Sequence, residues 1–202
     1  PEALTAYNVV PGLMGVILTM TLVMMTSMAM TRERERGTLE NLLATPVRPF
    51  EMMAGKILPY VLMGYVQVLI VFAAAQLLFD VPMAGSFLLL TTMVLLFIVA
   101  TLTVGFTFST IARSQMQSMQ MTMFYFLPNI LLSGFMFPFR GMPAWAQHIG
   151  ELLPLTHFLR IVRGIMLKGT GWTELWPEAG AIACFIGVTG AVALLRYRQT
   201  ID

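Results

Sequence analysis

Charge is scarce in this chain. Only 11% of its 202 residues are Asp, Glu, Lys or Arg, against 57% hydrophobic, where a soluble domain carries roughly 25% charged and about 45–50% apolar residues. So few charges cannot coat a surface that faces water, and a mean hydropathy of +0.79 excludes an ordinary soluble domain. Cysteine is nearly absent, and the lone Cys184 excludes an intrachain disulfide. No phosphate loop exists: Gly164 to Thr170 has the two glycines but not the lysine that would reach a phosphate. The chain is therefore not expected to hydrolyse ATP, and no catalytic residue is assigned. His148 and His157 have no clustered Cys or Asp beside them, short of the roughly 3–4 ligands zinc takes. They read as hydrogen-bonded interfacial residues, and no metal is expected. Asp and Glu are missing from the interiors of the apolar runs, which argues against a carrier driven by protons or sodium.

What is present is long apolar sequence. Uncharged runs cover residues 3–31, 57–79, 81–112, 114–139 and 179–195, and about 20 apolar residues suffice to cross a bilayer as a helix. The runs predict an all-α integral membrane protein with five transmembrane helices, near 9–31, 57–79, 86–110, 115–137 and 177–195. A barrel is excluded because stretches such as "LLLTTMVLLFIVATLTVGF" do not alternate. An odd number of spans puts the two ends on opposite sides, and the chain opens with Pro1 and carries no signal-peptide pattern. It reads as the C-terminal part of a longer protein.

Lys and Arg set the expected orientation. Arg32, Arg34, Arg36, Arg48, Lys56, Arg113, Arg196 and Arg198 fall on one side and Arg140, Arg160, Arg163 and Lys168 on the other. Eight against four places residues 31–56 in the cytoplasm and 138–176 outside. In that outer segment Pro143 can start one short helix, and Pro154 ends it and begins another. The second repeats Leu155, Phe158, Leu159, Val162 and Ile165 at helical spacing, with Arg160 and Arg163 elsewhere on its surface. Trp145, Trp172 and Trp176 suit the headgroup zone. The expectation is a helix pair dipping into or lying on the outer leaflet.

Methionine is abundant, at 18 residues. Met20, Met24 and Met28 form a stripe along the first span that could line a pathway for apolar substrates, although such stripes are more often packing surface. Gly105 with Ser109, and Gly187 with Gly190, read as close-packing positions.

The charge that does exist is concentrated at 31–46, "TRERERGTLENLLATP". Arg32 to Arg36 can carry the first span beyond the bilayer, Gly37 permits a break, and Thr38 can cap a short helix that ends before Thr45 and Pro46. Leu39, Leu42 and Leu43 would lie on one side of it, Glu40 and Asn41 on another. A plain topology anchor does not need those leucines.

The stretch "PGLMGVILTMTLVMMTSMAMTRERERGTLENLLATPVRPFEMMAGKILPY" resembles the ABC-2 type transporter permeases, which carry a similar R-E-[RK]-E-x-G-[TS]-x-[ED]-x-L-x-x-[ST]-P run after their second transmembrane helix. "PLTHFLRIVRG" fits the family's second pattern, with Pro154, Leu155, His157 and Arg163 in its positions. The resemblance spans essentially the whole chain, 1–202, as one partial transmembrane domain corresponding to the last five of six family helices. The family's N-terminal amphipathic helix, first span and extracytoplasmic domain have no counterpart here.

By this resemblance the chain is the multi-pass permease subunit of an ATP-driven exporter in the bacterial inner membrane. It would pair with a second permease subunit, as homodimer or heterodimer, and with a cytoplasmic ATP-binding cassette ATPase that uses ATP and Mg; it binds no cofactor itself, and nucleic acid is not a partner. Arg34, Glu35, Arg36, Gly37, Thr38, Leu39, Glu40, Leu42, Leu43, Thr45 and Pro46 would couple to the ATPase, and the outer helix pair would line or seal the outer mouth. Efflux of multiple drugs or lipophilic compounds is the leading reading, on spans almost free of charge. Export of polysaccharide or lipid, or a non-transporting anchor or signal module driven by an ATPase, are the alternatives.

Overall fold

The computed structural model describes residues 2–37 and 49–201, with side chains over 7–37 and 55–196. Among the described residues there are helices and no strand. They are α1 (Glu2–Glu35), α2 (Pro49–Phe79), α3 (Phe87–Ile111), α4 (Gln115–Leu132), α5 (Ala144–Glu151), α6 (Pro154–Arg163) and α7 (Trp172–Ile201). The protein is an all-α membrane protein, and four helices are long and apolar enough to span: Tyr7–Glu35, Gly55–Phe79, Phe87–Ile111 and Trp172–Arg196.

The remaining expected span, 115–137, is the shorter α4. Its first half is rich in Gln, Ser and Met, so it is less apolar than the other four. It ends at Leu132 because Gly134 adopts φ +84°, a left-handed conformation that glycine takes without steric cost. At 18 residues and 1.5 Å rise it reaches about 27 Å, nearly a bilayer's hydrocarbon depth. Local signals set the other starts. Ser86 accepts from the Leu89 amide at the head of α3, and Ser114 from the Gln117 amide at the head of α4, each satisfying an otherwise unpaired helix N–H.

Two spans form the centre and two the periphery. Buried residues make up 61% of the apolar window in α1 and 50% in α3, but 17% in each of α2 and α7. α1 and α3 pack on each other, α2 leans on both, and α7 packs on α3 and α6. Gly105 sets the α1–α3 approach: a Cβ there would sit 2.9 Å from the Val23 carbonyl oxygen and 2.9 Å from Thr26 Cβ. Ser109, one turn on, is buried too, so this pair packs as expected. Gly187 and Gly190 do not. A Cβ at either meets nothing within 4 Å: Gly187 lies on the exposed face of α7, and Gly190 borders a cavity of about 220 Å³ beside α1, α2 and α3.

The helices of the 138–176 segment follow the prolines. Pro143 caps α5, and Pro154 opens α6 after Leu153 turns extended. α6 does not lie on a surface. Pro154 to Leu159, Ile161 and Val162 are all buried, so the second helix of the pair dips into the bundle, against α1, α3 and α7. Trp145, Trp172 and Trp176 stay exposed, as headgroup-level residues should.

Candidate functional site

The motif residues meet where α6 enters the bundle. Pro154, with no N–H to lose, begins the helix, and Leu155 and Phe158 press against α1 where Gly15 has no side chain. A Cβ at Gly15 would come within 2.6 Å of Leu155 Cδ1 and 2.9 Å of Phe158 Cδ1. Phe158 also stacks on Phe97 of α3, with centroids 4.1 Å apart and planes 9° apart. α6 is thus wedged against both central spans.

His157 projects from this wedge into a charged cluster. Nε2 lies 2.8 Å from the Glu151 carbonyl oxygen, and Nδ1 contacts the Glu178 carboxylate of α7. A carbonyl only accepts, so Nε2 carries a proton; facing an ionised carboxylate, Nδ1 carries one as well. The geometry therefore fits an imidazolium. Burial alone would lower the His157 pKa, but the hydrogen bonds to Glu178 and the Glu151 carbonyl outweigh it and hold the pKa above its usual value. Arg160 completes the cluster, donating to both Glu151 oxygens at 2.6 and 3.0 Å and to Glu178 at 3.4 Å. Its guanidinium also lies 4.8 Å from the Phe139 ring centroid, within cation–π range. With His157 protonated, two cations face two carboxylates and the cluster is neutral.

Arg163 makes a second tie. Its guanidinium donates to the Gly134 carbonyl at 3.4 Å and to the Asn8 carbonyl at 3.3 Å, joining α6 to the end of α4 and the start of α1. Burial lowers its pKa, and its Nε has no partner. Sequence placed Arg160 and Arg163 on the helix surface; both instead bind across the fold. Glu151 and Glu178 had no sequence signal beyond being carboxylates near the same Pro154–Arg163 segment. His148 is exposed and apart from the cluster, and no group of three or more candidate metal ligands occurs among the described residues.

The charged run occupies the other end of α1. The helix continues through Arg34 and Glu35 and stops at Arg36 and Gly37, whose φ of +65° turns the chain. Glu35 accepts from the Gln115 backbone N–H at 3.0 Å and from Nε2 of Gln115 at 2.7 Å, while Arg32 Nε donates to Gln115 Oε1 at 3.2 Å. Gln115 opens α4, so the end of α1 is clamped to its head. Sequence did not reveal Gln115. One turn deeper, Ser27 and Ser118 share a buried hydrogen bond, and Thr31 donates to the Ser27 carbonyl at 2.8 Å. Lys56 of α2 pairs with Glu33. Thr38, Leu39, Glu40, Leu42, Leu43, Thr45 and Pro46 lie outside the described residues. Met20, Met24 and Met28 are half-buried along α1, and the two cavities that border the charged end of α1, of about 220 and 400 Å³, are lined by other residues of that helix, Met30 among them.

The ABC-2 type transporter family model matches residues 2–167. "Inner membrane transport permease YhhJ" of Escherichia coli K12 is 37% identical over 197 residues, covering 94% of this chain and 52% of that protein. "Probable multidrug ABC transporter permease YbhR" of the same strain is 30% identical over 197 residues, 96% of this chain and 52% of the relative. "Probable multidrug ABC transporter permease YbhS" of the same strain is 34% identical over 170 residues, covering 84% of this chain and 45% of that protein. The chain spans about half the length of these curated relatives.

Proposed function

The chain belongs to the ABC-2 type transporter family, and from that membership we propose that it is the membrane permease of an ATP-driven exporter in a bacterial inner membrane. A separate cytoplasmic ATPase binds and hydrolyses ATP with Mg, and a second permease subunit completes the pathway. Two relatives carry "multidrug" in their names, and the spans here are as apolar as a lipophilic cargo requires. Efflux of lipophilic compounds is the reading both facts support.

One observation carries the coupling step: Arg32 and Glu35 grip Gln115 directly before the leucine-bearing segment 38–46. A force on that segment, transmitted by the ATPase docked against Leu39, Leu42 and Leu43, reaches α1 and α4 together. Buried leucine contacts contribute roughly 1.5–3 kcal/mol each when fully buried, enough to hold a partner, while the mixed charges orient it. The test uses the full-length permease and its ATPase in liposomes. Replacing all three leucines by serine should abolish ATPase binding and export. Gln115→Ala should leave binding intact and lower drug accumulation per ATP hydrolysed. Undiminished binding in the triple-serine variant would reduce residues 34–46 to a topology anchor.

A further inference from the structure

One imidazole ring joins three helices. His157 of α6 bridges the Glu151 carbonyl at the end of α5 and the Glu178 carboxylate of α7, while Arg160 reaches both carboxylates. No other charge faces the ring among the described residues. Glu174 of α7, His148 of α5, Arg140 and Lys168 are exposed, and Arg163 is turned to the Gly134 and Asn8 carbonyls. α3 and α4 contain no charged residue, and the described charges of α1 lie at its far end, Arg32 to Glu35. Loss of one proton from His157 therefore leaves a single cation against two carboxylates. Whichever nitrogen keeps its proton, the other turns a lone pair toward the carbonyl or toward the carboxylate, so one side of the bridge becomes repulsive.

The helix that feels this most is α7. Thr189 shares a hydrogen bond with Thr103 of α3 at 3.1 Å, and its carbonyl accepts from Thr107 at 3.3 Å, about 16 Å along the helix from Glu178 at 1.5 Å per residue. Between these two ties Gly180 and Gly187 offer no side chain to interlock, and a Cβ at either would meet nothing. Leu175, Ala179 and Ile182 are buried, but lipid replaces apolar contacts of that kind at small cost. The charged tie thus decides where this end of α7 sits.

We propose that His157 is a proton-operated latch on α7: charged, it holds the 172–182 end of α7 against α6; neutral, it lets that end swing away about the Thr189 contact. The folded pKa of His157 lies above its ordinary value of 6.5, so the latch is engaged below that pH and released as pH rises through the folded value. The inference rests on the fold alone and holds or fails independently of the transport reading.

Gly141 and Gly180 each have open space around an added Cβ, so cysteines placed there carry spin labels without displacing a neighbour. The full-length permease bearing both, with every other cysteine replaced, is purified in detergent, and the distance between the labels is followed by electron paramagnetic resonance from about pH 5 to about pH 9. Singly labelled protein gives the contribution of a second subunit. One short distance is expected at the acid end, and a longer one should gain at least about tenfold on it by the alkaline end, with a midpoint above pH 6.5. His157→Gln keeps a donor and an acceptor but cannot become charged, and should give the same distribution at every pH. An unchanged wild-type distribution across the range would overturn the latch without any His157 variant having to fold. A pH step that persists in His157→Gln would overturn it as well.

Discussion

Replacing His157 perturbs the only point where α5, α6 and α7 share a charged contact among the described residues. His157→Ala strands two acceptors: the Glu151 carbonyl, 2.8 Å from Nε2, and the Glu178 carboxylate. An acceptor left unpaired in a buried site costs about 1–3 kcal/mol. The loss at Glu178 is the smaller of the two, since Arg160 still reaches it at 3.4 Å. A net loss of about 2 kcal/mol is expected, which in a chain of this size lowers the thermal midpoint by roughly 4–8 °C. The pH dependence separates a charged from a neutral histidine. The folded pKa lies above the ordinary value of 6.5, so the folded state binds the proton more tightly than the unfolded one. The stabilisation is fully present below about pH 6.5 and disappears as pH rises through the folded pKa. Midpoints of the wild-type and His157→Gln proteins, measured in detergent across that window, should converge at high pH and diverge at low pH. A constant gap would mean that folding does not shift the His157 pKa, a gap that closes toward low pH that the folded histidine is held neutral, and under either result the imidazolium assignment would fall.

Gly105→Leu should destabilise the protein by about 1–3 kcal/mol through overpacking, because a rigid backbone carbonyl stands 2.9 Å from the new Cβ; Gly187→Leu, with open space around it, should leave the thermal midpoint unchanged. Arg163→Lys should cost about 1–2 kcal/mol, since a single ammonium cannot serve the Gly134 and Asn8 carbonyls in the fork geometry of a guanidinium; an unchanged midpoint would show those bonds to be idle. For orientation, single cysteines at Thr38 or Gly171 in a Cys184→Ser background should react with an impermeant thiol reagent in intact cells only at Gly171. That glycine has no neighbour within 4 Å, whereas Gly169 has φ +64° and would be strained by a side chain. Labelling at Thr38 alone would invert the topology.

The positions of four of the five expected spans were readable because a bilayer imposes a length on apolar sequence, and that length survives any rearrangement of the helices. The shortening of α4 was not, because it depends on Gly134 taking positive φ, and no count of uncharged residues registers one dihedral. The burial of α6 was hidden for a related reason. Its sequence is amphipathic, and an amphipathic helix near a membrane reads as one dipping into or lying on a leaflet rather than packed inside a bundle. The polar face is instead satisfied by Glu178, Glu151 and two carbonyls from distant elements. Spacing within Pro154–Arg163 carries no information about them. Gly187 and Gly190 failed as packing sites on the same ground: glycine spacing shows where helices could approach, and only a neighbour decides whether they do.

The contacts that register the spans against each other are polar. Ser27 with Ser118, Thr103 with Thr189 at 3.1 Å, Thr21 with Gln67 at 2.8 Å and the Tyr65 hydroxyl on the Thr91 carbonyl at 2.9 Å each join two helices. In lipid the apolar faces have no solvent to escape, so packing alone discriminates weakly between one rotation of a helix and another. A side-chain pair does discriminate: the threonine hydroxyls keep bonds to carbonyls of their own helices, but a rotated helix would leave the Gln67 amide and the Tyr65 hydroxyl unpaired in hydrocarbon. α1 holds α4 by Ser27 and, a little further on, by Glu35, and it meets Arg163 of α6 through Asn8 at its opposite end. From Asn8 to Glu35 is about 40 Å at 1.5 Å per residue. A displacement imposed at Gly37 therefore has a stiff element to travel along, and the α6 wedge is hydrogen-bonded to its far end.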